Sequence, residues 1–442
     1  MDRFTTAERA LRTAAPHALF DTVREMCTTH YGATEVDLWM ADYAMNTLQP
    51  VTVLPYTAEP VPVQGSDPGR ALGAQQPYVR ELRYPESGDA HLADPEGEET
   101  PKPAPGRTAE PTDDGHPSTT APGPSAQAPA SAPAVVAHLP VSVRGDRLGV
   151  LSLTLPGSAP APETLAELQQ LADVLAHELV VADRDTDLYL QARRATRLTL
   201  AAEMQWQLLP GRSCARPQYT LGAQLEPAYA IYGDNFDWAT SADTLTLTVT
   251  NGMGEGIKAA LLTNLAINAL RNARRAGLSL ADQAALADQA LYGEHRGALH
   301  VSALLLEFDL ATGVVEVIDA GSPKIWRLRD GAVEHLVLEP QLPLGMFEDT
   351  AYAPQYLTVE PGDRLLLVSD GVYDSKSPAG ELFSARPLAR ALSATRLLPA
   401  PQVPQAVLAS LAEHRNPGPG SDDAMIVCFD WHGCTPDSET GQ

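Results

Sequence analysis

The sequence predicts an α+β protein built on antiparallel sheets, in two units joined by helix. Three observations carry this reading. Strand patterns are linked by short turns rather than by crossover helices. The helical patterns come in groups. A low-complexity segment interrupts the first unit without ending it, because strand patterns resume after it.

The chain has 442 residues, 44% of them apolar, enough for two or three domains each with its own core. The formal net charge is −25, which argues against a nucleic-acid-binding face and against docking on an anionic membrane. The four cysteines lie far apart, with no Cys-x-x-Cys pair, so neither a disulfide framework nor a zinc site is expected and a cytoplasmic setting fits. No apolar run approaches the ~20 residues of a membrane span. The N-terminus lacks the basic patch and apolar core of a signal peptide.

Residues 6–31 read as one amphipathic helix, followed by strands at 36–40 and 51–54. Residues 101–134 contain no Val, Ile, Leu, Met or aromatic residue. Such a stretch buries too little apolar surface to offset its ordering entropy, so a disordered insertion is expected over about 84–134. Strands at 135–143 and 148–155 then form a hairpin around Arg144-Gly145-Asp146-Arg147, closing a first domain over residues 1–160.

Residues 162–210 read as a helical connector. Leu165, Leu168, Ala172, Leu175, Leu179 and Ala182 follow a 3-4 spacing, and a second seam runs from Leu188 to Leu209 after a polar break at 183–187. Two readings stay open: a parallel helix making a homodimer, or an amphipathic helix packed on its own domain.

From 211 to 432 strands and helices alternate. A period-2 strand at 245–249, hairpins of 301–308 with 314–320 and of 324–329 with 333–338, a buried strand at 364–368 and a last strand at 424–429 are accompanied by helices at 255–276, 280–291, 384–394 and 402–414. Residues 433–442 form a tail.

Chemistry gathers at strand ends. Asp234 lies in Tyr232-Gly233-Asp234-Asn235-Phe236-Asp237, Asn251 opens Asn251-Gly252-Met253-Gly254-Glu255-Gly256, Asp370 follows Ser369, and Asp422 precedes Asp423. Oxygen ligands of this kind suit Mg²⁺ or Mn²⁺. The glycine-rich loop is not a dinucleotide fingerprint: its spacing is one residue short, and the strand before it alternates Leu and Thr where a Rossmann first strand is apolar throughout. For a single Asp, turn capping is the ordinary alternative. His295 and His300 read as loop residues rather than ligands.

In order and strand context these motifs resemble the metal-dependent PPM-type (type 2C) protein phosphatases, in their bacterial SpoIIE-like branch, from about residue 198 to 429. Glu203 to Pro210 is similar to that branch's lead-in helix. The Asp234 and Asp237 segment is similar to its Gly-Gly-Asp-x-x-Asp motif. Asp319-Ala320-Gly321-Ser322-Pro323 is similar to Asn-Ala-Gly-His-Pro, and Asp370-Gly371 and Asp422-Asp423 match the last two acidic motifs. The resemblance implies a PPM-type antiparallel β-sandwich flanked by helices and a two-ion Mn²⁺ or Mg²⁺ centre. It makes Asp234, Asp370 and Asp422 catalytic metal ligands and the Gly252 carbonyl a further ligand. It implies hydrolysis of phosphoserine or phosphothreonine on an anti-anti-sigma-type regulator. The family's bridging aspartate falls on Asn251, an amide that bridges two cations poorly; Asp237 and Glu255 are the acids that would compensate. The alternative is a phosphatase-like module that binds a regulatory partner without hydrolysis. Residues 10–155 resemble a GAF domain through the hairpin Leu139 to Leu151, which implies a sensor or dimerisation role.

Overall fold

A six-stranded antiparallel sheet organises the first unit. The computed structural model describes residues 2–52, 59–82, 133–226, 233–416 and 422–433. The elements run α1 (Arg3–Thr13), α2 (Leu19–Tyr31), β1 (Glu35–Ala41), β2 (Thr47–Pro50), β3 (Val61–Pro62), α3 (Asp67–Ala74), β4 (Tyr78–Leu82), β5 (Ala134–Val143), β6 (Asp146–Pro156) and α4 (Pro162–Ala182). The sheet order is β3-β2-β1-β6-β5-β4. The Pro- and Ala-rich insertion expected over about 84–134 falls outside the described residues apart from its last two, and so does the 434–442 part of the tail.

The single helix expected over 6–31 is two. Ala14 and Ala15 are extended ahead of Pro16, as a residue before proline is biased to be. The β5–β6 hairpin turns through Arg144 and Gly145, both at positive φ, the geometry of a tight two-residue turn. The strand expected at 51–54 lies just beyond β2, and residues 53 and 54 are outside the described residues.

The first seam of the connector differs from a dimer seam. Leu168, Leu171, Leu175 and Leu179 of α4 are fully buried against Leu11, Phe20, Val23, Leu139 and Leu151 of the same chain. Each buried leucine contributes about 1.5–3 kcal/mol here, and none of these faces is open to a second copy. The second seam is broken into α5 (Leu188–Ala192) and α6 (Leu200–Leu208). Thr199 caps α6 by accepting from the Ala202 amide. Of the two readings of the connector, packing on its own domain describes the first seam, whereas Ala195 and Thr199 of the second are exposed.

The second half comprises β7 (Ser213–Arg216), β8 (Tyr219–Glu226), β9 (Asp234–Thr240), β10 (Thr244–Gly252), α7 (Gly256–Arg275), α8 (Leu280–His295), β11 (Val301–Asp309), β12 (Val314–Ala320), β13 (Lys324–Arg329), β14 (Ala332–Leu336), β15 (Gln355–Thr358), β16 (Arg364–Val368), α9 (Asp370–Tyr373), α10 (Pro387–Ala394), α11 (Val403–Arg415) and β17 (Ala424–Trp431). Two antiparallel sheets, β15-β12-β11-β10-β9 and β14-β13-β16-β17-β8-β7, pack face to face. Leu225, Phe236, Leu247, Val249, Leu306, Phe308, Leu367 and Phe429 fill the space between them. Helices α7 and α8 cover one outer face and α10 and α11 the other. Thr246, Thr248 and Thr250 of β10 are buried as well, so this strand is covered on both faces rather than one.

The two halves are docked by hydrogen bonds. Arg147 Nη2 donates to the Pro401 carbonyl (2.5 Å), Gln402 Nε2 to the Gly73 carbonyl (2.6 Å) and Gln405 Nε2 to the Met45 carbonyl (2.9 Å). Among the described residues no helix is long and apolar enough to cross a membrane.

Candidate functional site

The two sheets meet at one end, and the acidic motifs sit there. Asp234 opens β9 and is the cross-strand partner of Asn251 at the end of β10, so one register places both on the same edge. From the opposite sheet, β16 runs into Ser369 and then into the single-turn helix α9, which begins with Asp370. Asp422 and Asp423 stand just before β17, which is paired to β16. Residues spread over nearly two hundred positions are thus brought to one place by three strands and a helix start.

Glycines make this approach possible. A Cβ on Gly371 would lie 1.7 Å from the Asp423 carbonyl oxygen, and one on Gly233 would lie 2.5 Å from the Gly252 carbonyl oxygen. Neither position admits a side chain without moving backbone. Gly254 and Gly256 take positive φ, which lets the loop after Asn251 turn sharply into α7.

The hydrogen bonds divide the acids by role. Asp423 is buried, and its Oδ2 accepts from the Gly233 amide (2.8 Å) and the Asp234 amide (3.2 Å), tying β17 to the start of β9. Ser369 Oγ accepts from the Met425 amide (3.0 Å). Asn251 Nδ2 donates to Asp370 Oδ1, which also accepts from the Gly371 amide (2.9 Å). Asp234 is 2% exposed and its Oδ2 has no hydrogen-bond partner. Burial pushes the Asp234 carboxyl well above the usual range, and the charge of Asp423 pushes it further; a hydrogen bond with Ser369 opposes this. Asp422 is raised by burial and then by Asp370. Among the described residues none of Asp234, Asp370 and Asp422 forms an ion pair with Lys, Arg or His. The cluster therefore stores repulsion that a divalent cation would relieve.

The fit to a metal is partial. The donors are hard oxygens, and the unpartnered Asp234 Oδ2 is the kind of atom an ion would satisfy. Yet among the described residues no group of three His, Cys, Asp or Glu side chains is gathered closely enough to hold an ion. At Asn251, where the resemblance places a carboxylate, an amide instead donates its N–H to Asp370.

The two acids that would compensate stand differently. Asp237 is buried on β9 and is held by Arg271 (2.7 Å) and Arg274 (3.0 Å), so its charge is already neutralised. Glu255 is exposed at the start of α7 and makes no capping bond with its side chain. Sequence reasoning also missed Asp423 and Ser369. The signal was available in Asp422-Asp423: at a strand start, adjacent residues face opposite sides, so one acid can face the cavity while its neighbour ties the backbone. Tyr373 Oη donates to the Ser322 carbonyl (2.8 Å), so the Asp319-to-Pro323 segment braces α9. His295 ends α8, and His300 stands just before Val301, the cross-strand partner of Gly252.

Residues 241–432 match the profile of the Stage II sporulation protein E (SpoIIE) family. The phosphoserine phosphatase RsbP of Bacillus subtilis is 30% identical over 126 residues, 28% of this chain and 31% of that protein. The protein IcfG of a Synechocystis strain is 21% identical over 220 residues, 43% of this chain and 35% of that protein. The chain thus spans about a third of the length of these curated relatives. The solved PP2C phosphatase domain of SpoIIE from Bacillus subtilis, with a fragment of its regulatory domain, superposes with a TM-score of 0.45 at 17% identity, covering 50% of this chain and 63% of that one. Over residues 241–432 the chain is thus similar to the SpoIIE family, and over part of its length to a phosphoserine phosphatase, RsbP.

Proposed function

We propose that the C-terminal half hydrolyses phosphoserine or phosphothreonine on a protein regulator in a bacterial signalling circuit, using Mn²⁺ or Mg²⁺. The observation that carries this is that Asp234, Asp370 and Asp422 come to the same end of the two sheets with no basic side chain paired to any of them among the described residues; an ion would have to draw the three carboxylates closer together. The regulator is of the anti-anti-sigma type, by the resemblance of the motifs. The exposed Met253, Ile257 and Leu261 beside the site suit a protein surface better than a small molecule. The cytoplasm is the setting, which the free buried thiols of Cys27, Cys214 and Cys428 suit. The N-terminal unit acts as the GAF-like sensor.

Asp234, Asp370 and Asp422 would hold the ion, and the Gly252 carbonyl would be a further donor. When bound, a divalent ion neutralises phosphate charge and lowers the pKa of an attacking water. The chain's own residues set how well this site forms. Asp423 and Ser369 fix the backbone that carries Asp234 and Asp370. Asn251 limits the charge available, so one ion rather than two is the expected load.

The Asn251 to Asp370 bond also favours a second reading, a module that binds a phosphoprotein without turnover. One experiment separates the two. Phosphate release from a phosphoserine protein is measured with Mn²⁺ for the wild type and for Asn251→Asp. Release by the wild type, rising on the order of 10–100-fold in Asn251→Asp, supports the enzyme. Release only by Asn251→Asp establishes the binding module, and release by neither overturns the phosphatase reading.

A further inference from the structure

Asp370 is carried by a helix too short to hold itself. α9 has four residues and closes with one bond, from the Asp374 amide to the Asp370 carbonyl (2.9 Å). A single turn fixes several backbone dihedrals for one hydrogen bond, so its geometry depends on ties from outside. The residue after Asp370 is a glycine, the least restrained of backbones. It admits no larger residue, because a Cβ there would lie 1.7 Å from the Asp423 carbonyl oxygen.

The ties converge on that glycine. The Gly371 amide donates to Asp370 Oδ1 (2.9 Å), on the same oxygen that accepts from Asn251. The Gly371 carbonyl accepts from Arg415 Nη2 and from Ser375 Oγ (2.6 Å), as a carbonyl at a helix end needs. Arg415 also donates to Ser375 Oγ, through Nε (2.9 Å) and Nη2 (2.6 Å), so its fork closes over the hydroxyl and the carbonyl together. The fork stands on a packed element. Arg415 ends α11, whose Val403, Val407, Leu408 and Leu411 are buried with Leu366 of β16 and Ile426 and Cys428 of β17.

The placement runs against simple electrostatics. Arg415 is half-buried, and among the described residues it forms no ion pair. Burial lowers its pKa, while the charges of Glu226 and then Asp422 oppose that. A guanidinium this near Asp422 repels a divalent ion in the acid cluster. Its geometry, not its charge, is what favours the site.

We propose that Arg415 is a positioning residue for Asp370: it pins the Gly371 carbonyl, and the Gly371 amide in turn holds the Asp370 carboxylate beside Asn251. This role rests on the reading of the acid cluster as a cation site. A lysine would keep the charge but lose the planar fork, so it cannot stand in.

Charge and positioning predict opposite signs. Removing a positive charge near Asp422 would tighten Mn²⁺ binding, whereas loosening α9 would weaken it. The test is calorimetric titration of Mn²⁺ into the full chain, below the melting temperature of each protein, for wild type, Arg415→Met, Arg415→Lys, Ser375→Ala and Arg364→Met. The expected Kd is on the order of 10–100-fold weaker in Arg415→Met and Arg415→Lys, and weaker by a smaller factor in Ser375→Ala. It is unchanged in Arg364→Met, which strips a fork from two other carbonyls at the far end of β16 and reports what lost stability alone does. Should Arg415→Met fail to fold, Arg415→Lys and Ser375→Ala carry the comparison. Affinity unaltered or tighter in Arg415→Met, or unaltered in Arg415→Lys, overturns the positioning role while the cation site stands. Wild type that takes up no Mn²⁺ overturns the cation site and this role with it.

Discussion

The two ends of β16 treat charge in opposite ways. At its start Arg364 clasps Asp430 through two hydrogen bonds (2.6 and 2.7 Å) and donates to the Thr395 and Leu398 carbonyls. Every charge there has a partner. At its far end, four residues on, the chain reaches Asp370, and the acids around it lean on one another instead. The first end is built for stability. At the second, carboxylates face one another without basic partners, an arrangement that a cation would complete under the function proposed above. The same contrast recurs on β9, where Asp237 is clamped by two arginines and Asp234, three residues earlier, is left without one.

Substitutions at the two ends should therefore separate activity from stability. Asp370→Asn is expected to lower Mn²⁺-dependent phosphate release by more than the ~100-fold that follows loss of a residue that only orients a ligand, while leaving the melting temperature of the metal-free protein unchanged or higher. Arg364→Met should do the reverse. It leaves Asp430 and two carbonyls without their donor and is expected to cost about 3 kcal/mol in denaturant unfolding, with Mn²⁺ affinity retained. If both variants lose stability alike, the two ends are not different in kind.

Asp237→Asn is the smaller test on β9. It leaves Arg271 and Arg274 without their shared carboxylate and should destabilise by about 2 kcal/mol, again without loss of metal affinity. A loss of metal binding equal to that of Asp234→Asn would return Asp237 to the site.

The smallest effect is in pH. The folded-state pKa values of Asp234 and Asp422 lie above those of the unfolded chain, about 3.9. Stability from these groups is full below the unfolded value and is lost as pH rises through the folded values. The melting temperature of chelator-treated protein should fall as pH rises above the ordinary carboxylate range, and saturating Mn²⁺ should flatten that slope. The same slope with and without Mn²⁺ would mean the ion does not meet these carboxylates.

Much of this was legible in the sequence for a physical reason. The strands at 301–308, 314–320, 324–329 and 364–368 have strong period-2 or apolar patterns and tight turns, and they form as expected. The paired register of Asp234 and Asn251 was not legible, because nothing local fixes which residues of β9 and β10 lie opposite. The helix expected over 6–31 was split by Pro16, whose effect on the two alanines before it outweighs the apolar period. The first connector seam was visible but its partner was not: a 3-4 spacing fits a second helix and the chain's own sheet equally well, and packing on β5 and β6 decided it. The motifs brought Asp237 and Asp422 forward on equal terms. Only the placement of Arg271 and Arg274, a full strand and helix away, showed that Asp237 is spent on an ion pair.

The most direct measurement is titration calorimetry of Mn²⁺ into the full chain and into Asp370→Asn. The account predicts one ion per wild-type chain, with binding lost in Asp370→Asn. Wild-type protein that takes up no Mn²⁺ at millimolar concentration, or an Asp370→Asn variant that binds as the wild type does, would contradict it.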